Sequence, residues 1–328
     1  SAPTGASAGS SRMPSETSAR PSSLAEQSMP ADFAEAVGAT NGVVVASHWG
    51  TGPVVRDVVA KNPGFVPVAF WQDREDLFTD AEGKTHLPES ALRAYVAIPN
   101  RVYNAPWVWQ SALAPYPVPK GANLTVPTLP IPGAPGDWAM KGLTRWIPVG
   151  VDCDLFAPAL RGPGPIRVLA MWRPHTPRRG ARRLAEMFAV LHRERPDLSL
   201  EVFGWNEKGT SAPPPYVKNH GLLTQRQVAD LMARVHVVVE ASDYQGFGLP
   251  GLEAMASGAV LVSTDTMGRE AYAWDPPDRS GCIIAPHDPR ALADAVVAVA
   301  ALALSRGVPD VRSAECINRL VAVTHDCE

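Results

Sequence analysis

The 328-residue sequence predicts an α/β protein made of two parallel-sheet halves. Three observations carry that expectation. Short β-branched runs alternate with stretches of helical period, the pattern of β-α-β units. At roughly 150 residues per domain, the length accommodates two domains. A composition of 45% apolar and 19% charged residues is enough for sizeable cores.

Composition also excludes several classes. Thirty Lys+Arg against 33 Asp+Glu leave a net charge of −3, so no global basic field marks a polyanionic partner. No apolar run reaches the roughly 18 residues of a spanning helix. The N-terminus shows no charged segment followed by an apolar one, so no secretory signal is expected. Cys153, Cys282, Cys316 and Cys327 form no C-x-x-C pair, which argues against a disulfide framework or zinc site and for a reducing compartment. The sequon Asn123-Leu124-Thr125 then carries no weight.

Residues 1–30 hold nine Ser and few large apolar side chains, so they are expected to form a disordered tail. Val43-Val44-Val45-Ala46 reads as a buried strand, 53–61 as a helix, 65–70 as a second strand and 94–98 as a third. The proline-rich stretch 114–138 reads as a long loop or lid. Trp146-Ile147-Pro148-Val149 closes an N-terminal α/β domain spanning 31–150, and 151–165 reads as a linker. The C-terminal domain, 166–328, is expected to be doubly wound. Its strands fall at 166–171, 198–203, 235–240 and 259–262, and its helices at 180–195, 249–257 and 288–303. Thr224 with Gln227 three residues on is a capping box opening one more helix, with Val228, Leu231 and Met232 on its apolar face.

The most informative segment runs Ser242-Asp243-Tyr244-Gln245-Gly246-Phe247-Gly248-Leu249-Pro250-Gly251-Leu252-Glu253-Ala254-Met255-Ala256-Ser257-Gly258. It reads as strand, glycine-rich turn and helix, with Pro250 in the first turn. Gly246 and Gly248 let backbone N–H groups approach a ligand, and the helix N-terminus favours an anion. Glu253, one turn in, can accept hydrogen bonds from ribose hydroxyls. Spacing alone fits a plain strand–helix connection equally well.

The residue string itself closely resembles the signature of the retaining glycosyltransferases of family four, whose fold is GT-B. Their pattern is Glu-Gly-Phe-Gly-Leu-Pro, two residues, then Glu-Ala-Met-Ala-x-Gly. The stretch from Trp146 to Pro158 resembles that family's interdomain segment. Gly268-Arg269-Glu270 and Gly281-Cys282-Ile283-Ile284-Ala285-Pro286 resemble later elements, so the likeness covers about 145–303. It implies two Rossmann-like domains facing a cleft, the C-terminal one holding a nucleotide-diphospho-sugar and the N-terminal one an acceptor. It also implies that Glu253 binds the ribose, with Gly246, Phe247, Gly248 and Leu249 forming the donor-binding turn, and that position 245 contacts the donor sugar. There this chain has Gln245, an amide that donates and accepts but carries no charge. Because the surrounding frame is unaltered, Gln245→Glu is expected to be tolerated.

Arg173-Pro174-His175-Thr176-Pro177-Arg178-Arg179-Gly180-Ala181-Arg182-Arg183 follows a strand and opens a helix. Arginines at a helix N-terminus suit phosphate, since guanidinium binds it bidentately. The resemblance assigns Arg173, with Arg178 or Arg179, to the diphosphate leaving group; Arg182 and Arg183 read as a solvated face. The Arg-Pro-x-Thr-Pro-Arg-Arg variant resembles the rhamnosyltransferase-like branch. In the N-terminal half, Gln72-Asp73 stands where many family members carry His-Asp facing the donor sugar, making Asp73 a catalytic and Gln72 a substrate candidate. His48, at a strand end, is a further substrate candidate, though a lone His is more often structural. Asp152-Cys153-Asp154 matches a short Asp-x-Asp metal motif but falls in the linker, so no metal or cofactor is expected. The family's first strand, with its glycine-rich loop, has no counterpart before residue 43, which implies a reduced acceptor domain or a shortened chain.

The expected activity is glycosyl transfer, with retention, from a nucleotide-diphospho-sugar to a glycan or other hydroxyl acceptor. Nucleic acid is not expected as a partner, and the location is cytoplasmic or membrane-peripheral. Two rivals stand beside it: a non-catalytic nucleotide-sugar-binding pseudo-enzyme and a nucleic-acid-modifying glycosyltransferase.

Overall fold

A computed structural model describes residues 39–78, 89–113, 119–122, 144–205, 211–272 and 281–305. The expected tail, the sequon, most of the proline-rich stretch, Cys316 and Cys327 lie outside them. Asn41–Glu328 forms one compact unit that contains both sheets.

The first sheet is made of β1 (Gly42–Ala46), β2 (Phe65–Trp71), β3 (Asn100–Tyr103) and β4 (Thr144–Trp146), in that order and all parallel. Three helices connect them: α1 (Gly52–Lys61), α2 (Glu89–Val96) and α3 (Pro106–Leu113). Here the sequence reading needs correction. Residues 94–98, expected as a strand, belong largely to α2, and the third strand lies just beyond. Tyr95, Val96 and Ile98 are all buried, so their run imitates a core strand. The true strand, Asn-Arg-Val-Tyr, hides its period behind Arg101, whose buried guanidinium donates to the carbonyls of Val96 (2.9 Å) and Pro99 (3.2 Å). The helix α3 was not foreseen. It buries Trp107, Val108, Ser111 and Ala112 and shows little polar face from which a period could be read.

The second sheet follows expectation closely. Its strands are β5 (Arg167–Met171), β6 (Ser199–Phe203), β7 (Lys218–Asn219), β8 (Val237–Glu240), β9 (Val260–Thr264) and β10 (Cys282–Ala285). All pairs are parallel, in the order β10-β9-β8-β5-β6-β7. The chain therefore reverses direction across the sheet between β5 and β8, where Val168 pairs with Val237. The helices are α4 (Ala181–Glu194), α5 (Gln225–Met232), α6 (Leu249–Ala256) and α7 (Pro289–Ser305). The capping box at α5 forms as read: the Gln227 amide donates to Thr224 Oγ1 at 3.3 Å, and the Thr224 amide donates to Gln227 Oε1 at 2.9 Å.

One apolar cluster unites the two sheets, with Trp71, Tyr103 and Trp107 packed among residues that include Tyr244, Phe247 and Met267. Among the described residues no helix is long and apolar enough to cross a membrane. Cys153 is exposed and Cys282 is buried.

Candidate functional site

In a parallel sheet whose strand order reverses, ligands bind at the carboxyl ends of the strands flanking the reversal. Here those strands are β5 and β8. The arginine segment 173–180 leaves β5, and the glycine-rich turn 241–248 leaves β8. Backbone and side-chain bonds stitch the two together. The Asp243 amide donates to Arg178 O at 2.8 Å. A Cβ on Gly180, whose φ is +69°, would stand 2.0 Å from Ala241 O. Arg183 is not on the solvated face expected for it: its guanidinium bonds Ala241 O and Asp243 Oδ1, the latter at 2.8 Å. Arg182 does face solvent and pairs with Glu186 along the helix.

The glycines of the turn answer to protein as much as to any ligand. A Cβ on Gly246 would stand 1.8 Å from Gln72 O. Gly248 adopts φ +93° as the N-cap of α6, and its carbonyl accepts from Tyr272 Oη at 2.8 Å. Across the turn, Gly268 N donates to Thr266 O (2.7 Å) around Met267, the one non-glycine with positive φ among the described residues. Phe247 is buried against the Tyr272 ring at 5.3 Å, and Leu249 is half-buried.

The first sheet closes over this turn. Trp107 Nε1 donates to the carbonyls of Gln245 (2.9 Å) and Gly246 (2.8 Å), and Tyr244 Oη donates to Leu77 O at 2.8 Å. Asp73 Oδ2 lies 3.6 Å from Arg178 Nη1, whose guanidinium stacks on the rings of Phe78 (4.1 Å) and Tyr244 (5.2 Å). Burial pushes the Asp73 carboxyl above its ordinary range, opposed by the pull of Arg178 and Arg179. Arg178 is thus engaged with the first-sheet half. Arg179 Nη1, like Arg178 Nη1, is buried with no hydrogen-bond partner among the described residues, and its charge also pulls on Asp73. Arg173 is exposed at the end of β5 and is not drawn into the Asp73 contact.

Glu253 sits one turn into α6, half-buried, and none of the described residues donates to its carboxylate. Burial pushes it up to about 7. Gln245 is almost completely buried. Gln72 Nε2 donates to Ser47 O at 2.9 Å, so its side chain ties β2 to β1. His48 caps a 3₁₀ turn by accepting from Gly50 N at 3.1 Å, and its ring is lowered by burial. Asp152 Oδ1 accepts from the amides of Asp154 and Leu155, both at 3.0 Å.

Sequence reasoning missed Glu75. Its Oε2 accepts from Trp49 N at 2.9 Å, and Oε1 lies 4.0 Å from His48 Nε2. Burial, with Asp73 and Asp76 nearby, lifts it to about 7. Its place in the run Gln72-Asp73-Arg74-Glu75-Asp76 was the only signal, and a charge run usually marks a solvated loop. Arg74 is the reason this one is not: fully buried, it grips Asp76 through two bonds of 2.7 Å and Ser111 O at 2.8 Å.

The chain is similar to several known proteins. Residues 166–301 match the family described as glycosyl transferases group 1. An MMP alpha-(1->4)-mannosyltransferase of Mycolicibacterium hassiacum is 32% identical over 126 residues, which is 36% of this chain and 30% of that protein. The chain therefore spans less than a third of the curated relative it matches. Sucrose-phosphate synthase from Thermosynechococcus elongatus superposes with a TM-score of 0.62 at 18% identity, over 88% of this chain and 71% of the other. The Anabaena protein HepE, in complex with UDP and glucose, gives 0.56 at 16% identity, over 87% and 78%. The fold is GT-B-like, and residues 166–301 carry a domain of the group 1 glycosyltransferase kind.

Proposed function

We propose that the protein is a glycosyltransferase that moves a sugar from a nucleotide-diphospho-sugar to a hydroxyl acceptor with retention at the anomeric carbon. The observation that carries this reading is Glu253, a half-buried carboxylate with no hydrogen-bond donor among the described residues, one turn into the helix that follows the switch-point turn. Such a group suits two adjacent ribose hydroxyls. The donor would occupy the domain formed by residues 166–328, the acceptor the 31–150 side, with 151–165 between them. HepE is described in complex with UDP and glucose, which supports this class of donor.

In this reading Arg179 meets the diphosphate with a guanidinium nitrogen that has no hydrogen-bond partner among the described residues, and exposed Arg173 completes the clamp. Both would neutralise charge that grows as the diphosphate leaves, where fixed cations contribute most. Arg178 and Asp73 hold the acceptor side against the turn, and His48, Gln72 and Glu75 line the mouth of the first sheet. No step in this scheme needs a metal ion.

Titration calorimetry with UDP, GDP, dTDP and ADP, and with their hexose conjugates, tests the reading. Binding of one nucleotide series by the intact chain, weakened by about 1.5–3 kcal/mol in Glu253→Ala, is expected for a lost charged hydrogen bond. Unchanged affinity in that variant removes Glu253 from the site. Proton NMR of the first-formed product then reports the anomeric configuration.

A further inference from the structure

Gln245 does not stand alone. Its Nε2 lies 3.4 Å from Ser242 Oγ, and Ser242 Oγ lies 2.5 Å from Glu240 Oε1. The Ser242 amide also donates to Glu240 Oε1, at 3.3 Å. Glu240 ends β8, and its charge acts on Arg178 and on Tyr272, so it belongs to the floor of the same site.

The protons along this chain have one arrangement. A carboxylate only accepts, and a serine hydroxyl has a single proton to give. Ser242 gives it to Glu240. Its remaining capacity is as an acceptor, so only an N–H can face it from position 245. That places the Gln245 amide nitrogen toward Ser242 and leaves Oε1 toward Gly248, 3.7 Å from where a Cβ on that residue would stand. A glutamate at 245 would instead set a second carboxylate against the lone pairs of Ser242, close to Glu240.

We propose that Glu240 and Ser242 are positioning residues that hold Gln245 as a neutral contact for the donor sugar, and that Glu240 carries the negative charge of this corner. The sugar contact rests on the function proposed above; the charge arrangement does not. It reverses the expectation that Gln245→Glu is tolerated. Oε1 of Gln245, fixed in direction, offers an acceptor to a sugar hydroxyl.

The test uses the full chain as wild type, Q245E, E240Q and the E240Q/Q245E pair. Thermal melts without ligand are recorded from about pH 5 to 8. Around this corner Arg178 stays cationic over that range, and Asp73, Asp243 and Tyr272 are common to all four proteins. In Q245E the new carboxyl, crowded by Glu240, keeps its proton longer folded than unfolded. The native state then binds the extra proton, so Q245E loses stability relative to wild type as pH rises. E240Q/Q245E should track wild type across the range. Calorimetry with UDP-glucose at about pH 8 is the second readout: affinity should fall about tenfold in Q245E and return to within about threefold in the pair. If Q245E fails to fold, a folded pair supports the proposal and an unfolded pair overturns it. Melts of Q245E parallel to wild type at every pH, or a pair no better than Q245E, also overturn it. Wild type that binds no nucleotide sugar would refute the proposed function while leaving the melts decisive for the charge arrangement.

Discussion

Glu253 and Glu75 make an instructive pair. Each sits at the mouth of a parallel sheet, each is partly buried, and each is pushed to about 7 by desolvation. Glu253 was visible in the sequence because its neighbours are fixed by backbone geometry. A proline in the first helical turn, glycines at positions a Cβ cannot occupy, and a carboxylate one turn on all leave a linear trace. Glu75 was invisible because what buries it is tertiary. Trp49 comes from the preceding strand end, and Arg74, which holds the loop, reaches Ser111 in a helix 37 residues away. The second-sheet half is specified locally; the first-sheet half is specified by buried charge.

That contrast predicts where the molecule breaks. The largest loss is expected in the first-sheet half. Arg74→Ala removes a fully buried guanidinium and leaves Asp76 uncompensated, at a cost of about 3–5 kcal/mol. Urea unfolding monitored by tryptophan fluorescence measures it. A loss under about 1 kcal/mol would mean that the loop is held by something other than the Arg74–Asp76 pair.

A smaller loss should follow from Gly246→Ala. Its Cβ would meet Gln72 O, a backbone atom that cannot rotate away, so the turn and the first sheet must part. Overpacking of this kind costs about 1–3 kcal/mol. Gly150→Ala is the control, since nothing lies within 4 Å of a Cβ there. If both variants melt alike, the close approach of the two halves is not what keeps position 246 a glycine. Trp107→Phe probes the same seam more gently. It keeps the buried ring but leaves the Gln245 and Gly246 carbonyls without their indole donor, a loss of about 1–2 kcal/mol.

How much was legible follows the same line. The second sheet, its helices and the α5 capping box were readable because apolar period and cap chemistry coincide there. In the first sheet, β3 was displaced by the buried run that ends α2, and α3 was missed because Trp107, Val108 and Ala112 leave it hardly any polar stripe. The arginine segment was recognised as a unit, yet its members diverge. Arg183 holds Asp243, Arg178 stacks on Phe78 and Tyr244, and Arg182 faces solvent beside Glu186. Five arginines look alike in sequence; only packing separates an anchor from a ligand.

The two carboxylates themselves supply the smallest and sharpest test. If Glu253 accepts ribose hydroxyls, its ionised form is the binding form. With a value of about 7, it is mostly protonated at pH 6 and mostly ionised at pH 8. Affinity for UDP-glucose should therefore rise about tenfold across that interval. UDP-glucose is the better probe than UDP, because its diphosphate has no terminal group titrating in the window. Stability of the unliganded protein should run the other way. A carboxyl whose folded value lies above its unfolded one binds an extra proton in the native state, so stability falls as pH rises from about 4.5 through 7. Glu75 has the same upward shift and adds to that decline, but it lies in the first-sheet half, which the proposed function gives to the acceptor. Glu253→Gln should thus flatten both the binding profile and part of the stability slope. Glu75→Gln should flatten part of the stability slope alone and leave the rise in UDP-glucose affinity intact. If Glu75→Gln removes the pH dependence of donor binding, the two halves do not divide donor from acceptor at this seam. The loop after β2 would then have to be counted as part of the donor site.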